Sequence, residues 1–387
     1  MKVGRFLLAF LLMVATPAWA AEPKRQVIID DEGFAIPHLM LLEDPRVEVL
    51  GITTVSGNVW ANRATAMVLR GLELLGRAQV PVAEGATFPL LNSEARTERW
   101  EALYGKLVWK GAFMKQWAEP TAQSTPPYHG PFDPVDLPWG NPKLKALSEP
   151  AAQFLIRTVR AHPHQVTILA TGPLTNLALA QRLDPEFASL VKELVIMGGS
   201  LAPRQVLEGK SAADFAREFV NTPRREFNIR FDPEAASMTA HAPWPKVTIV
   251  PADPATATQL SPALVERLAR AARPPVATFL RGMEPGFPMW DEIAVAVWLD
   301  PSIVTRSERL WYDFDVQFGP GYGDMLTWHD AYRPGLDEGQ ADVVLSIDVP
   351  RMEALMAKAL GGAVEICSRR ARRVRRDAVS AAGDAHC

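Results

Sequence analysis

The chain has 387 residues, 48% hydrophobic and 22% charged, with 25 Gly, 33 Pro and two Cys. That balance excludes disorder, collagen and coiled coil as descriptions of the whole, and leaves room for one large domain or two. The 41 basic and 44 acidic residues give a net −3, which argues against a nucleic-acid polymer as partner.

In chain order, Lys2 and Arg5 precede the apolar run Phe6–Ala15, and Ala18-Trp19-Ala20 follows. This is the pattern of a secretory signal peptide cut after Ala20, with a run too short to span a bilayer. The expectation is an exported, periplasmic or secreted protein with no membrane span. Val27-Ile28-Ile29 reads as a buried strand ending in Asp30-Asp31-Glu32-Gly33. Glu48–Thr54 reads as a second strand, followed by Val55-Ser56-Gly57-Asn58. Over residues 61–75, Ala64, Met67, Val68, Leu72 and Leu75 recur at helical steps and share one face. Residues 92–145 form a proline-rich insertion, with Pro120, Pro126, Pro127, Pro131, Pro134, Pro138 and Pro142 around Tyr128 and Trp139. Such a loop is either a lid or surface decoration.

Pro150–Ala161 and Leu174–Leu183 read as helices around the strand Val166–Ala170, and Glu193–Met197 is a further strand ending in Gly198-Gly199. Alternating strands and helices predict an α/β fold, an open and mostly parallel sheet flanked by helices, over a single domain at 21–360. Beyond it, residues 361–387 form a basic tail carrying Arg369, Arg370, Arg372, Arg373, Arg375 and Arg376. This tail reads as a solvated terminus, in which Cys367 and Cys387 could pair if the compartment is oxidising. Two cysteines cannot build a disulfide scaffold or a four-thiolate zinc site.

Ligands of such folds bind beyond the carboxyl ends of the strands. The polar residues there are Asp30, Asp31, Glu32, Asn58, Thr171 to Asn176, Asn221, Glu226 and Asn228, with Asp291 opening a later helical stretch. Singly, each could be a helix cap or a turn residue. Together they form a set of carboxylates and amides without cysteine, which suits a hard cation such as Ca²⁺ and a polyhydroxylated ligand. There is no Walker-type phosphate loop, no GxSxG elbow and no HExxH pair.

The blocks VLGITTVSGN (49–58), ILATGPLTNLALA (168–180), VIMGG (195–199), EFNIRFDPEAA (226–236) and WDEIAVAVWLDP (290–301) resemble the inosine-uridine-preferring nucleoside hydrolase family, over roughly residues 26–350. The resemblance implies a calcium-dependent N-ribohydrolase acting on a small-molecule ribonucleoside, with a homo-oligomer as the family habit. It implies Asp31, Thr171 (through its carbonyl) and Asp291 as metal ligands, and Asp30 or Asp31 as general base. It implies Asn58, Asn221, Glu226 and Asn228 as holders of the ribose hydroxyls, with Trp290 placed to stack on the base.

The family opens with a strand and then D-x-D-x-G-x-D-D. Here Ala35 and Ile36 stand where the second aspartate pair is expected if Gly33 matches the motif glycine. One of those aspartates is normally a bidentate metal ligand. Glu32 could take its place, or His38 could serve another metal. Trp290 occupies a position that often carries a leaving-group His, for which His129 is a possible substitute. The competing expectations are a nucleoside- or ribose-binding protein without catalysis, and a hydrolase of another ribosyl N-glycoside.

Overall fold

A computed structural model describes residues 23–107, 109–114, 128–203 and 226–361. The leader pattern, Asn221, both cysteines and the Arg-rich tail lie outside these residues.

Among the described residues, a nine-stranded sheet runs in the order β3-β2-β1-β4-β5-β6-β9-β7-β8. Its strands are β1 (Arg25–Asp31), β2 (Val47–Thr54), β3 (Val82–Glu84), β4 (Val166–Ala170), β5 (Glu193–Met197), β6 (Val247–Val250), β7 (Val304–Phe314), β8 (Met325–Trp328) and β9 (Gly339–Ile347). The strands from β3 to β9 in that order pair in parallel, and β7 and β8 add an antiparallel edge. Successive side chains of a strand face opposite sides of the sheet. Accordingly Val27, Ile29, Leu169, Val195 and Met197 join one apolar core, while Ile28, Ile168, Ala170, Leu194 and Ile196 join the core on the other side. Both faces are covered, so these strands read as unbroken apolar runs in the sequence.

The helices α1 (Ile36–Glu43) and α2 (Ala61–Leu74) follow β1 and β2. Ala64, Val68, Leu72 and Leu75 are buried as the helical spacing requires. The insertion contains a helix, α3 (Glu94–Tyr104), with Ser93 Oγ accepting the Arg96 amide at its start. The described part of the proline-rich stretch is fastened along α2. Arg70 Nε donates to the Trp139 carbonyl, and Glu73 Oε1 accepts the amides of Lys143 and Leu144. The helices α4 (Ala151–Ala161) and α5 (Thr175–Leu183) lie where the sequence placed them.

From β1 the sheet order runs to β2 and β3 on one side and to β4 and β5 on the other. A crevice beyond the strand ends is expected at such a switch point. Among the described residues, no helix is long and apolar enough to cross a membrane.

Candidate active site

Asp30 and Asp31 close β1 and, as neighbours in a strand, point to opposite faces. Asp30 Oδ1 accepts from Thr53 Oγ1 at 2.5 Å and from Asn176 Nδ2 at 2.7 Å. Its Oδ2 is buried without a hydrogen-bond partner among the described residues. Burial outweighs those two hydrogen bonds and pushes the carboxyl up to about 7.

Asp31 Oδ1 accepts the Glu32 amide at 2.6 Å, and Oδ2 lies 3.6 Å from His38 Nδ1. Burial again dominates and raises this carboxyl to about 6. His38 is fully buried, its Nδ1 accepts the Ala35 amide at 3.3 Å, and burial drives the imidazole down to about 3. A ring accepting at Nδ1 carries its proton on Nε2 and is neutral at physiological pH.

Glu32 follows at once. Its Oε1 accepts from Asn58 Nδ2 at 2.6 Å, and its Oε2 is buried without a hydrogen-bond partner among the described residues. Burial and the negative charges of Asp31 and Glu226 hold the carboxyl well above the usual range. The carboxylate fits against two glycines. A Cβ on Gly57 would sit 2.1 Å from Oε2, and one on Gly172 would sit 3.0 Å from it.

The exposed Asn58 also accepts from Trp109 Nε1 at 2.6 Å. Trp109 belongs to the insertion, whose segment 109–114 docks on this rim. There Ala112 donates its amide to the Gly57 carbonyl at 2.8 Å, and the Trp109 carbonyl accepts from Arg230 Nη2 at 2.6 Å. Trp109 borders a small aromatic cluster of Trp60, Phe113, Phe227 and Phe231.

Beyond β4 and β5, Glu226 caps the helix Phe227–Phe231. Its Oε1 accepts the Asn228 amide, and its Oε2 accepts the amides of Gly199 and Ile229. Burial raises this carboxyl to about 7 against those three bonds. Asn228 Nδ2 donates to the carbonyls of Thr171 at 3.0 Å and Met197 at 3.1 Å, tying the ends of β4 and β5 together. The Thr171 carbonyl keeps a second lone pair.

Asp291 opens the helix Asp291–Leu299, directly after Trp290. Burial and repulsion by Asp31, Glu292, Glu32 and Glu226 hold Asp291 well above the usual carboxylate range. Glu292, raised to about 7 by burial, also feels Asp31. Trp290 is half-buried and packs against the larger core. His129 makes no ring hydrogen bond among the described residues.

The fold therefore brings Asp31, Glu32, Asn58, Thr171, Glu226, Asn228 and Asp291 to one rim and turns Asp30 toward Thr53 and Asn176. Sequence reasoning had no role for Glu292, Trp109 or the Gly57–Gly172 slot. Of these, only the glycines following strands carried a signal in the sequence.

Among the described residues, no group of three or more His, Cys, Asp or Glu side chains stands as a ready metal cage. The chemistry of the donors does suit a hard cation, with carboxylate and carbonyl oxygens, an unpartnered buried Glu32 oxygen and mutual repulsion among the acids.

The chain is similar to known nucleoside hydrolases. The pyrimidine-specific ribonucleoside hydrolase RihA of Salmonella typhimurium is 28% identical over 351 residues, covering 86% of this chain and 97% of the relative. Uridine nucleosidase 1 of Arabidopsis thaliana is 38% identical over 208 residues, covering 54% of this chain and 49% of the relative. The solved structure of the plant nucleoside hydrolase PpNRh1 superposes with a TM-score of 0.64 at 23% identity, over 88% of this chain and 99% of that one, and supports the fold. The family model for inosine-uridine preferring nucleoside hydrolases matches residues 27–354, and the chain belongs to that family.

Proposed function

We propose that this protein hydrolyses the N-glycosidic bond of a ribonucleoside to ribose and free base, with Ca²⁺ as the cation of its site. The observation that carries this reading is the meeting of Asp31, Glu32, Glu226 and Asp291 with Asn58 and Asn228 at the sheet's switch point. Asp31, Asp291 and the Thr171 carbonyl would hold the cation, and when bound it acidifies a water and anchors vicinal hydroxyls.

The chain's own residues do the rest. Asp31, with its carboxyl at about 6, is mainly ionised at pH 7 and takes a proton from the attacking water. The water oxygen bonds to C1′ as the C1′–N bond breaks, and the base leaves with the bonding pair and takes up a proton from solvent. The surrounding carboxylates stabilise the positive charge that grows on the ribosyl ring. Asn58, Glu226 and Asn228 hold the ribose hydroxyls, which a deoxyribose cannot fully match. Trp290 offers an apolar face to the base but no useful acid. Asp30, bound to Thr53 and Asn176, shapes the end of β1 without meeting the substrate. Export rests on the leader pattern of residues 1–20, and the amino-terminal sequence of the secreted or periplasmic protein would test it.

The test is a reducing-sugar assay with uridine and inosine, together with their 2′-deoxy analogues, in calcium buffer. Ribose release from the ribonucleosides, lost with a chelator and in Asp31→Asn, is the expected result. Nucleoside binding without turnover would overturn the hydrolase reading in favour of a binding protein.

A further inference from the structure

The second aspartate pair of the family's metal motif is missing here, where Ala35 and Ile36 stand if Gly33 matches the motif glycine. Of the two residues in its place, Ala35 is half-buried and Ile36 is 0% exposed, and Ile36 begins the almost wholly buried helix α1. A Ca²⁺ ion takes ~6–8 oxygen ligands. Asp31, Asp291 and one carbonyl supply too few of them from the protein, so another donor has to come from this chain's own departure from the family.

The geometry points to Glu32 as that donor, a carboxylate ligand of the divalent cation in place of the missing aspartate pair. This inference rests on the function proposed above. Glu32 is 6% exposed, and its two oxygens are treated differently. Asn58 fixes Oε1, which sets the orientation of the group, while Oε2 stays buried and unpartnered among the described residues. A buried carboxylate oxygen without a partner is costly unless something positive or proton-bearing meets it.

The slot is shaped for this group, because a side chain on either Gly57 or Gly172 would strike Oε2. The charges acting most strongly on Glu32 are all negative, from Asp31, Glu226 and Asp30. Those acting most strongly on Asp291 are also all negative, Glu32 among them. A divalent cation bound by Glu32, Asp31 and Asp291 satisfies the open oxygen and removes the repulsion together.

Calorimetric titration of CaCl₂ into the whole purified protein, compared with Glu32→Gln and Glu32→Asp, tests the assignment. Glu32→Gln should weaken calcium binding at least tenfold, and Glu32→Asp should fall between it and the parent. Melting without metal guards against misfolding. Glu32→Gln should melt no lower than the parent in a chelator, because its amide oxygen can still accept from Asn58, yet gain much less from calcium. Equal calcium affinity in Glu32→Gln and the parent would overturn the inference, as would a parent that binds no calcium. Ribose release measured in parallel separates the two readings. Turnover with calcium affinity unchanged by Glu32→Gln sinks this ligand and keeps the hydrolase. Glu32-dependent calcium binding without turnover keeps the ligand and sinks the hydrolase.

Discussion

Asn176 uses almost its whole side chain to hold the site's frame. Its Nδ2 donates to Asp30 Oδ1 at 2.7 Å and to the Thr54 carbonyl at 2.9 Å, and its Oδ1 accepts the Ala86 amide at 2.9 Å. Asn176→Ala leaves several buried polar groups without partners and should cost about 3 kcal/mol of stability, read from urea unfolding. Gly57 acts by its lack of a side chain. Gly57→Ala pushes against the Glu32 carboxylate and should lower kcat/KM about 100-fold, as small displacements in catalytic constellations do. An unchanged kcat/KM would show that the slot has no part in the reaction. At this scale the sequence named most of the polar residues but could not choose between Asp30 and Asp31. Strand geometry sends neighbours to opposite faces. Only the partners across the sheet, Thr53 and Asn176 on one side and His38 and Asp291 on the other, show which face is the site.

The short helices after β5 carry a titration of their own. Glu226 caps one and is raised to about 7, and Asp232 caps the next and is raised to about 6, in both cases chiefly by burial. A carboxyl whose folded pKa lies above its unfolded value keeps a proton that the unfolded chain has released. Its contribution to stability is therefore full below pH ~4 and is lost as pH rises toward 7. His38, pushed down to about 3, works the other way and costs stability as pH falls below ~6.5. The raised carboxyls of the site outnumber this one imidazole. In calcium-free buffer the melting temperature should therefore fall from pH 5 to pH 8, and a flat or rising profile would refute this balance. The strands β1, β4 and β5 were legible as elements because they are buried on both faces over short apolar runs, and β2 because its β-branched second half is buried. Helix α1 was not, because IPHLMLLE is buried nearly all round and shows no polar stripe to give a period. The antiparallel pair β7 and β9 also escaped notice, since much of each strand is only partly buried.

Across the whole molecule, one buried carboxylate joins elements far apart in the chain. Glu43, at the end of α1, accepts from Arg77 Nη2 at 3.0 Å and from Arg273 Nε at 2.7 Å. Arg273 also donates to the Leu75 carbonyl at 2.7 Å. Glu43→Ala strands two guanidiniums that still reach some water, so its cost falls below that of a fully buried broken pair, about 2 kcal/mol. Urea unfolding would register this as a lower midpoint, with ribose release at low temperature little changed.

The sheet's order has a consequence for how copies of this protein can meet. Its outermost strands, β3 and β8, have three and four residues, and so offer only a stub of backbone to a neighbouring chain. A strand that short is a poor template for extending a ladder from one molecule into the next. Among the described residues, then, the sheet's ends give little purchase to a second copy, and the surfaces open to one are those of helices and loops.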